Sequence, residues 1–224
     1  MLPELGVIFD AGTGMFRARD LIQTKELDIF LSHIHLDHCV GLTFLYDVLW
    51  EKEVERVTVH VAKDKIESIE TALYHPDLFP VKPNFELRPL VEQLELSPDY
   101  RLTSHPLAHP GGCHGFRLEG PDLSLAYVTD TIADPTADYV SWLGGVDTLV
   151  HECYFPDGWE DRAEMTGHSC LSPVAQVAKQ CSANTLYLVH INPLNESEQP
   201  LDLKSVDSIF QPIVVASDQL IIDV

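Results

Sequence analysis

An α/β layered domain is what this sequence predicts, on three observations. Short β-branched runs alternate with helical patterns along most of its 224 residues, and strands with helices between them stack into layers. Hydrophobic residues make up 45% and charged residues 22%, a mix that excludes a disordered or fibrous chain. No linker, low-complexity tract or repeat interrupts the pattern, so 1–224 reads as a single domain with ample chain for a buried core.

The elements follow in order. Val7-Ile8-Phe9 reads as a strand that ends on a Gly-rich turn, Asp10-Ala11-Gly12-Thr13-Gly14. Residues 27–32 form a second strand, followed by a His-rich loop and a helix over about 40–50. A strand at 57–61 and a helical pattern at 63–74 come next. Residues 75–100 are Pro-rich, with loops and one strand near 85–87. The second half is expected to place strands at 101–107, 116–119, 124–129, 148–151 and 185–189. Helices are expected at 172–181 and near 203–210, and two short strands, 213–215 and 219–222, are expected to close the chain.

Fourteen Lys and Arg against 35 Asp and Glu give a net charge of −21. Neutralising phosphates along a nucleic acid needs clustered cations, so a long nucleic-acid interface is not expected. Anionic membrane surfaces are disfavoured for the same reason, and no apolar run approaches the roughly 20 residues of a membrane helix. The first five residues, Met1-Leu2-Pro3-Glu4-Leu5, have neither the basic region nor the apolar stretch of a signal peptide. Cys39, Cys113, Cys153, Cys170 and Cys181 form an odd, scattered set without a CxxC pair. They read as reduced thiols in a cytoplasmic setting.

The chemistry concentrates in Ser32-His33-Ile34-His35-Leu36-Asp37-His38, directly after a predicted strand. Imidazole and carboxylate are ligands for Zn and similar divalent ions. In extended backbone His33 and His35 point the same way, because side chains alternate with period two, so both can grip one ion. Asp37 and His38, where the chain turns toward a helix, face a neighbouring point and can grip a second. Four residues do not close two sites, and three further candidates also stand at strand ends: His109, Asp130 and His190. Strand ends are where ligands collect in α/β folds.

Taken in order, Asp10-Ala11-Gly12-Thr13-Gly14, His33-x-His35-x-Asp37-His38, His109-Pro110-Gly111-Gly112, Thr129-Asp130-Thr131 and Val189-His190 resemble the five motifs of the metallo-β-lactamase superfamily. The likeness spans nearly the whole chain. It is greatest to the branch of tRNA three-prime processing endonucleases and cyclic-phosphate phosphodiesterases. His151-Glu152-Cys153-Tyr154-Phe155 resembles that branch's His-Glu-Ala-Thr-Phe strand, and Gly167-His168-Ser169 its His-Ser segment.

This resemblance implies a four-layer αββα sandwich with metals at one edge. It implies one ion on His33, His35 and His109, a second on Asp37, His38 and His190, and Asp130 bridging them. Asp10 orients the His-rich loop, and His168 lies near the leaving group with Glu152 orienting it. The implied cofactors are two divalent ions, Zn first, with Mn, Fe and Ni compatible. A homodimer is also compatible, since relatives often dimerise.

The sequence departs from that branch in four ways. The strand pair that usually precedes the Asp10 motif is missing from the chain given, which implies a shortened first sheet or a trimmed N-terminus. No Gly/Pro- and Lys-rich arm for clamping tRNA is present, and Ile191-Asn192-Pro193 follows His190 where those enzymes carry Ser-x-Arg-Tyr. The charge of −21 is the fourth departure. Together the last three argue against tRNA processing and toward a small anionic substrate.

Two divalent ions sharing a water lower its pKa toward neutrality and supply a nucleophile. Asp37 can bind metal and orient that nucleophile, and His168 can protonate a departing alkoxide. The expected function is hydrolysis of a small or cyclic phosphodiester. Two alternatives remain: a carboxyl-ester, thioester or lactone hydrolase with the same metal pair, and a non-catalytic metal-binding module. The remaining histidines have plainer readings, with His60 at a surface or core edge, His75 in a loop and His105 in a strand. His114, five residues past His109, has an open role. Cys39 and Cys170 read as buried small hydrophobes, and Asp157, Glu160, Asp161 and Glu164 as a solvated loop.

Overall fold

The computed structural model describes residues 1–195 and 200–223, and the chain falls into two compact units, Met1–Val91 and Glu92–Val224.

The first unit is built on four parallel strands in sequence order: β1 (Val7–Phe9), β2 (Glu26–Phe30), β3 (Arg56–Val61) and β4 (Glu86–Pro89). Strand alternation explains its core. Leu27, Ile29 and Leu31 point to one face together with Val57, Val59 and Val61, and pack with Leu42, Leu45, Val48 and Ile69. Thr58, His60 and Phe30 on the opposite face are buried too, as expected of a parallel sheet. His60 is therefore a core residue, bonded at 2.8 Å to Asp28 and stacked on Phe30.

The crossovers are short and irregular. A 3-10 helix, Thr13–Leu21, joins β1 to β2. The helix expected at 40–50 is divided between α1 (Leu36–Cys39), a 3-10 turn (Val40–Phe44) and α2 (Leu45–Val48). The pattern at 63–74 is helical as expected, with α3 (Ile66–Ser68) inside it.

Among the described residues the second unit carries seven strands: β5 (Gln93–Ser97), β6 (Tyr100–Leu107), β7 (Cys113–Gly120), β8 (Leu123–Val128), β9 (Thr148–Glu152), β10 (Thr185–Val189) and β11 (Ile213–Val215). Strands β5 to β8 form an antiparallel meander, and β8 to β11 run parallel. Two antiparallel steps return β6 to the direction of β8, so β6, β8, β9 and β10 all end at one edge of the sheet. Helix α4 (Asp138–Trp142) links β8 to β9, and α5 (Glu160–Thr166) and α6 (Leu171–Gln180) link β9 to β10. Leu171, Val174, Ala175, Val177 and Ala178 give α6 a buried stripe at helical spacing.

Four expectations change. β5 forms where loops are predicted; its alternating Leu94 and polar neighbours pair with β6 in a hairpin. The acidic stretch around Glu160 is helical, with Ala163 buried beside Phe155 and Cys170 and the acidic side chains exposed. Residues 219–222 make no strand, and Leu220 and Ile221 are exposed, although β11 stands at the edge of the sheet. The helix expected near 203–210 shrinks to a 3-10 turn, Leu203–Val206. The five cysteines are all buried and unbridged, and burial raises the Cys39 and Cys170 thiols to about 11. No helix among the described residues is long and apolar enough to cross a membrane.

Candidate metal-binding site

In the first unit the donors collect at the C-terminal ends of β1 and β2. Asp10 follows β1 with φ +57. Its Oδ1 accepts the Ser32 backbone N–H at 2.7 Å, and its Oδ2 accepts the Ser32 hydroxyl at 2.9 Å and His38 Nδ1 at 2.8 Å. One carboxylate thus ties the end of β2 to the start of α1. With its proton on Nδ1, His38 presents Nε2 as the basic nitrogen, 3.3 Å from Asp37 Oδ2.

His33 is set the same way. Its Nδ1 lies 3.0 Å from Ser32 Oγ; because that hydroxyl donates to Asp10, it accepts from His33. The basic Nε2 of His33 then lies 3.0 Å from His35 Nδ1. Two nitrogens on one tetrahedral ion, each about 2.0–2.1 Å away, are separated by roughly 3.3 Å, so this spacing suits a shared cation. His33 and His38 are buried, whereas His35 and Asp37 are exposed.

Close backbone approach makes this possible. Ala11 N–H donates to His38 O at 2.8 Å and Gly41 N–H to Ala11 O at 2.7 Å. A Cβ on Gly12 would strike Asp37 O, and one on Gly41 would strike Gly12 O. Only glycine lets the turn after β1 lie flat against the His-bearing segment.

In the second unit, His109 follows β6, Asp130 follows β8, Glu152 ends β9 and His190 follows β10, all at the shared edge. Asp130 has φ +28 and His190 φ +53. Left-handed backbone at non-glycine residues is uncommon and concentrates at functional sites. His109 Nδ1 donates to Gly167 O at 2.8 Å, leaving Nε2 at 3.7 Å from Asp130 Oδ2. Asp130 Oδ1 accepts the Thr129 hydroxyl at 2.8 Å and lies 3.4 Å from His190 Nε2.

Glu152 is fully buried yet well bonded. Oε1 accepts Thr131 N–H at 3.0 Å and His168 Nδ1 at 3.2 Å, and Oε2 accepts Tyr154 N–H at 3.0 Å. Burial pushes its pKa up, against the pull of His168 and of the Thr131 N–H. Ligand atoms of Glu152, His168 and His190 come within 4.8 Å of one another. Ser169 braces the loop below them, donating to Thr131 O at 2.6 Å and accepting Ala133 N–H at 2.9 Å.

Within the first unit, His33, His35, Asp37 and His38 therefore gather around Asp10. Within the second, His109, Asp130 and His190 gather with Glu152 and His168. His114 lies in β7 opposite Pro106. Sequence reasoning quotes Ser32, Gly167, Ser169 and Tyr154 within its motifs but gives none of them a role. Ser32 and Gly167 have a usable signal, each directly preceding a candidate histidine.

A sequence profile for the family described as "Beta-lactamase superfamily domain" matches residues 6–191. Ribonuclease Z from Porphyromonas gingivalis is 26% identical over 281 aligned residues, spanning 96% of this chain and 88% of that protein. That alignment is longer than the 224-residue chain, so the relative has insertions with no counterpart here. Among solved structures, the metallo-beta-lactamase fold protein YhfI from Bacillus subtilis superimposes with a TM-score of 0.74 at 18% identity, covering 93% of this chain and 83% of its own. A diphosphatase from the PhnP family gives 0.70 at 19% identity, covering 96% and 77%. The fold expected from the motifs, an α/β metallo-β-lactamase fold, is the fold these comparisons show.

Proposed function

Because the chain belongs to the beta-lactamase superfamily, we propose that it is a binuclear metal-dependent hydrolase of a small or cyclic phosphodiester. The observation that carries this reading is the buried Glu152–His168 pair beside the candidate ligands His190 and Asp130. A carboxylate-oriented imidazole next to a metal-ligand set supplies a proton donor where a leaving oxygen departs. The names of the relatives, Ribonuclease Z and diphosphatase, support chemistry at phosphorus.

The donor chemistry fits divalent ions. Imidazole nitrogens with their tautomers set by Asp10, Ser32 and Gly167, together with two carboxylates, match Zn and equally Mn, Fe or Ni. In this reading 1–224 acts as one catalytic domain. His33, His35 and His109 would hold one ion and Asp37, His38 and His190 the other, with Asp130 available to both. Bound there, divalent ions acidify a water and polarise a substrate oxygen.

The chain's own residues do the rest. Asp37, exposed beside His38, orients the attacking water. His168, with Nδ1 held by Glu152, gives the proton on Nε2 to the departing alkoxide, so that the alcohol leaves neutral. Glu152 stabilises the imidazolium before transfer. The acidic surface favours a compact anion that is drawn to the metal charge over an extended polyanion, and five buried thiols suit a reducing, cytoplasmic compartment.

The test is metal analysis followed by a split assay. Purified protein is expected to hold about two divalent ions per chain. Turnover of bis(p-nitrophenyl) phosphate and cyclic nucleotides is expected to exceed that of p-nitrophenyl acetate, lactones and thioesters. His33→Ala and Asp130→Ala are expected to remove metal and hydrolysis together. Preferential turnover of the acyl compounds reverses the reading in favour of an ester, thioester or lactone hydrolase. Metal binding without any turnover makes the chain a non-catalytic module.

A further inference from the structure

His168 Nδ1 lies 3.2 Å from Glu152 Oε1, and the rings of Tyr154, His190 and His109 flank the imidazole. A hydrogen bond at one ring atom fixes direction but does not by itself stop the imidazole rocking about that bond. Of these rings, Tyr154 lies nearest and most nearly parallel, whereas His190 stands at 5.3 Å and 25° and His109 at 5.3 Å and 54°. The chain after β9 and the chain before α6 run side by side: Phe155 N–H donates to Ser169 O at 3.1 Å, and Phe155 forms a parallel bridge with Cys170. That register lays the Tyr154 ring on the His168 ring, with centroids 4.6 Å apart and planes 17° from parallel.

Tyr154 is itself braced. Phe155, nearly buried, meets its ring edge-on at 4.9 Å, and the Tyr154 N–H donates to Glu152 Oε2 at 3.0 Å. The same residue therefore contacts the imidazole through its ring and the orienting carboxylate through its backbone.

We propose that Tyr154 is the positioning residue for His168, its ring holding the imidazole in the orientation from which Nε2 reaches the leaving oxygen. This rests on His168 being the proton donor of the function proposed above. Aromatic stacking of this kind shifts the population of one orientation by about two- to tenfold. Its effect is confined to substrates whose leaving group needs a proton. The hydroxyl plays no part, so phenylalanine suffices.

The experiment compares Tyr154→Phe, Tyr154→Leu and Tyr154→Ala on two substrates. A cyclic nucleotide expels an alkoxide, and bis(p-nitrophenyl) phosphate expels a stabilised phenolate. The Leu and Ala variants are expected to lose kcat about five- to tenfold on the cyclic nucleotide, with KM unchanged and with little loss on the phenolate substrate. The Phe variant is expected to retain both activities. In parallel, NMR of histidine-labelled protein reads the His168 Nδ1–H bonded to Glu152. That signal is expected to be protected in wild type and Tyr154→Phe, and exchange-broadened in the Leu and Ala variants. Equal losses on both substrates, a Phe variant as impaired as the Ala variant, or an unchanged imidazole signal each overturn the proposal. If wild-type protein turns over no phosphodiester, the proposed function falls, and the imidazole signal alone decides the role of Tyr154.

Discussion

Asp10 Oδ2 and His38 Nδ1 lie 2.8 Å apart, both nearly buried, and the same oxygen accepts the Ser32 hydroxyl that in turn receives His33 Nδ1. One carboxylate therefore sets the tautomers of two candidate ligands without being placed among the ligands itself. Asp10→Ala is expected to leave the chain folded but to weaken metal binding about 10- to 100-fold. Titration with Zn²⁺ in competition with a chelating dye measures it. Unchanged affinity would remove Asp10 from the orienting role.

Gly167 supports His109 in a comparable way. It closes α5 with φ +77, its carbonyl accepts His109 Nδ1, and a Cβ there would come 2.8 Å from that nitrogen and collide with Pro110. Gly167→Ala is expected to cost about 1–3 kcal/mol of stability through left-handed strain and the displaced ring, and to reduce the metal retained. Urea unfolding with metal analysis tests both; a variant as stable and as metal-rich as wild type contradicts the argument.

His151 makes stability depend on pH. It is completely buried, with Nδ1 donating to Glu152 O and Nε2 facing the Tyr139 hydroxyl at 3.4 Å, and burial lowers its pKa to about 4. Between that value and the ordinary value near ~6.5, the unfolded chain binds a proton that the folded chain refuses. Stability therefore rises with pH across this window, is fully present above it, and is diminished as pH falls toward 4, by about 3 kcal/mol in all. Urea midpoints from pH 4 to 7.5 should show this slope, and His151→Leu should flatten it. An equally steep curve in the variant assigns the slope to other groups.

Arg19 caps α2 from a distance. Its guanidinium donates to the carbonyls of Asp47, at 2.8 Å, and Trp50, adding to the Trp50 N–H that Asp47 O accepts at 3.3 Å. Arg19→Ala is expected to destabilise by about 1–3 kcal/mol with hydrolysis of any substrate unaffected per folded molecule. A chemical denaturation curve superimposing on wild type would rule out this role.

Most of the architecture is legible locally. Val57-Thr58-Val59-His60-Val61 reads as a strand because apolar residues recur at period two, and α6 reads as a helix because its stripe recurs at three and four. The donor list is legible too, since three imidazoles within six residues after an apolar run have no ordinary role. β5 exists because β6 pairs with it, residues 219–222 stay outside the sheet although β11 is an edge strand, and Glu160 to Thr166 is helical with Ala163 buried. Pairing and packing between segments decide such cases, and the pattern within one segment does not contain them.

By itself the sequence determined the chemistry available: which side chains can bind a divalent ion, which strands they follow, and the family whose motifs they repeat. Only the tertiary structure decided how those side chains are held: the tautomers set by Asp10 and Gly167, the left-handed turns at Asp130 and His190, and the Tyr154 ring lying on His168. The reason is physical. Ligand identity is a property of one residue, whereas orientation comes from hydrogen bonds and ring contacts between residues that meet only when the strands pair in register.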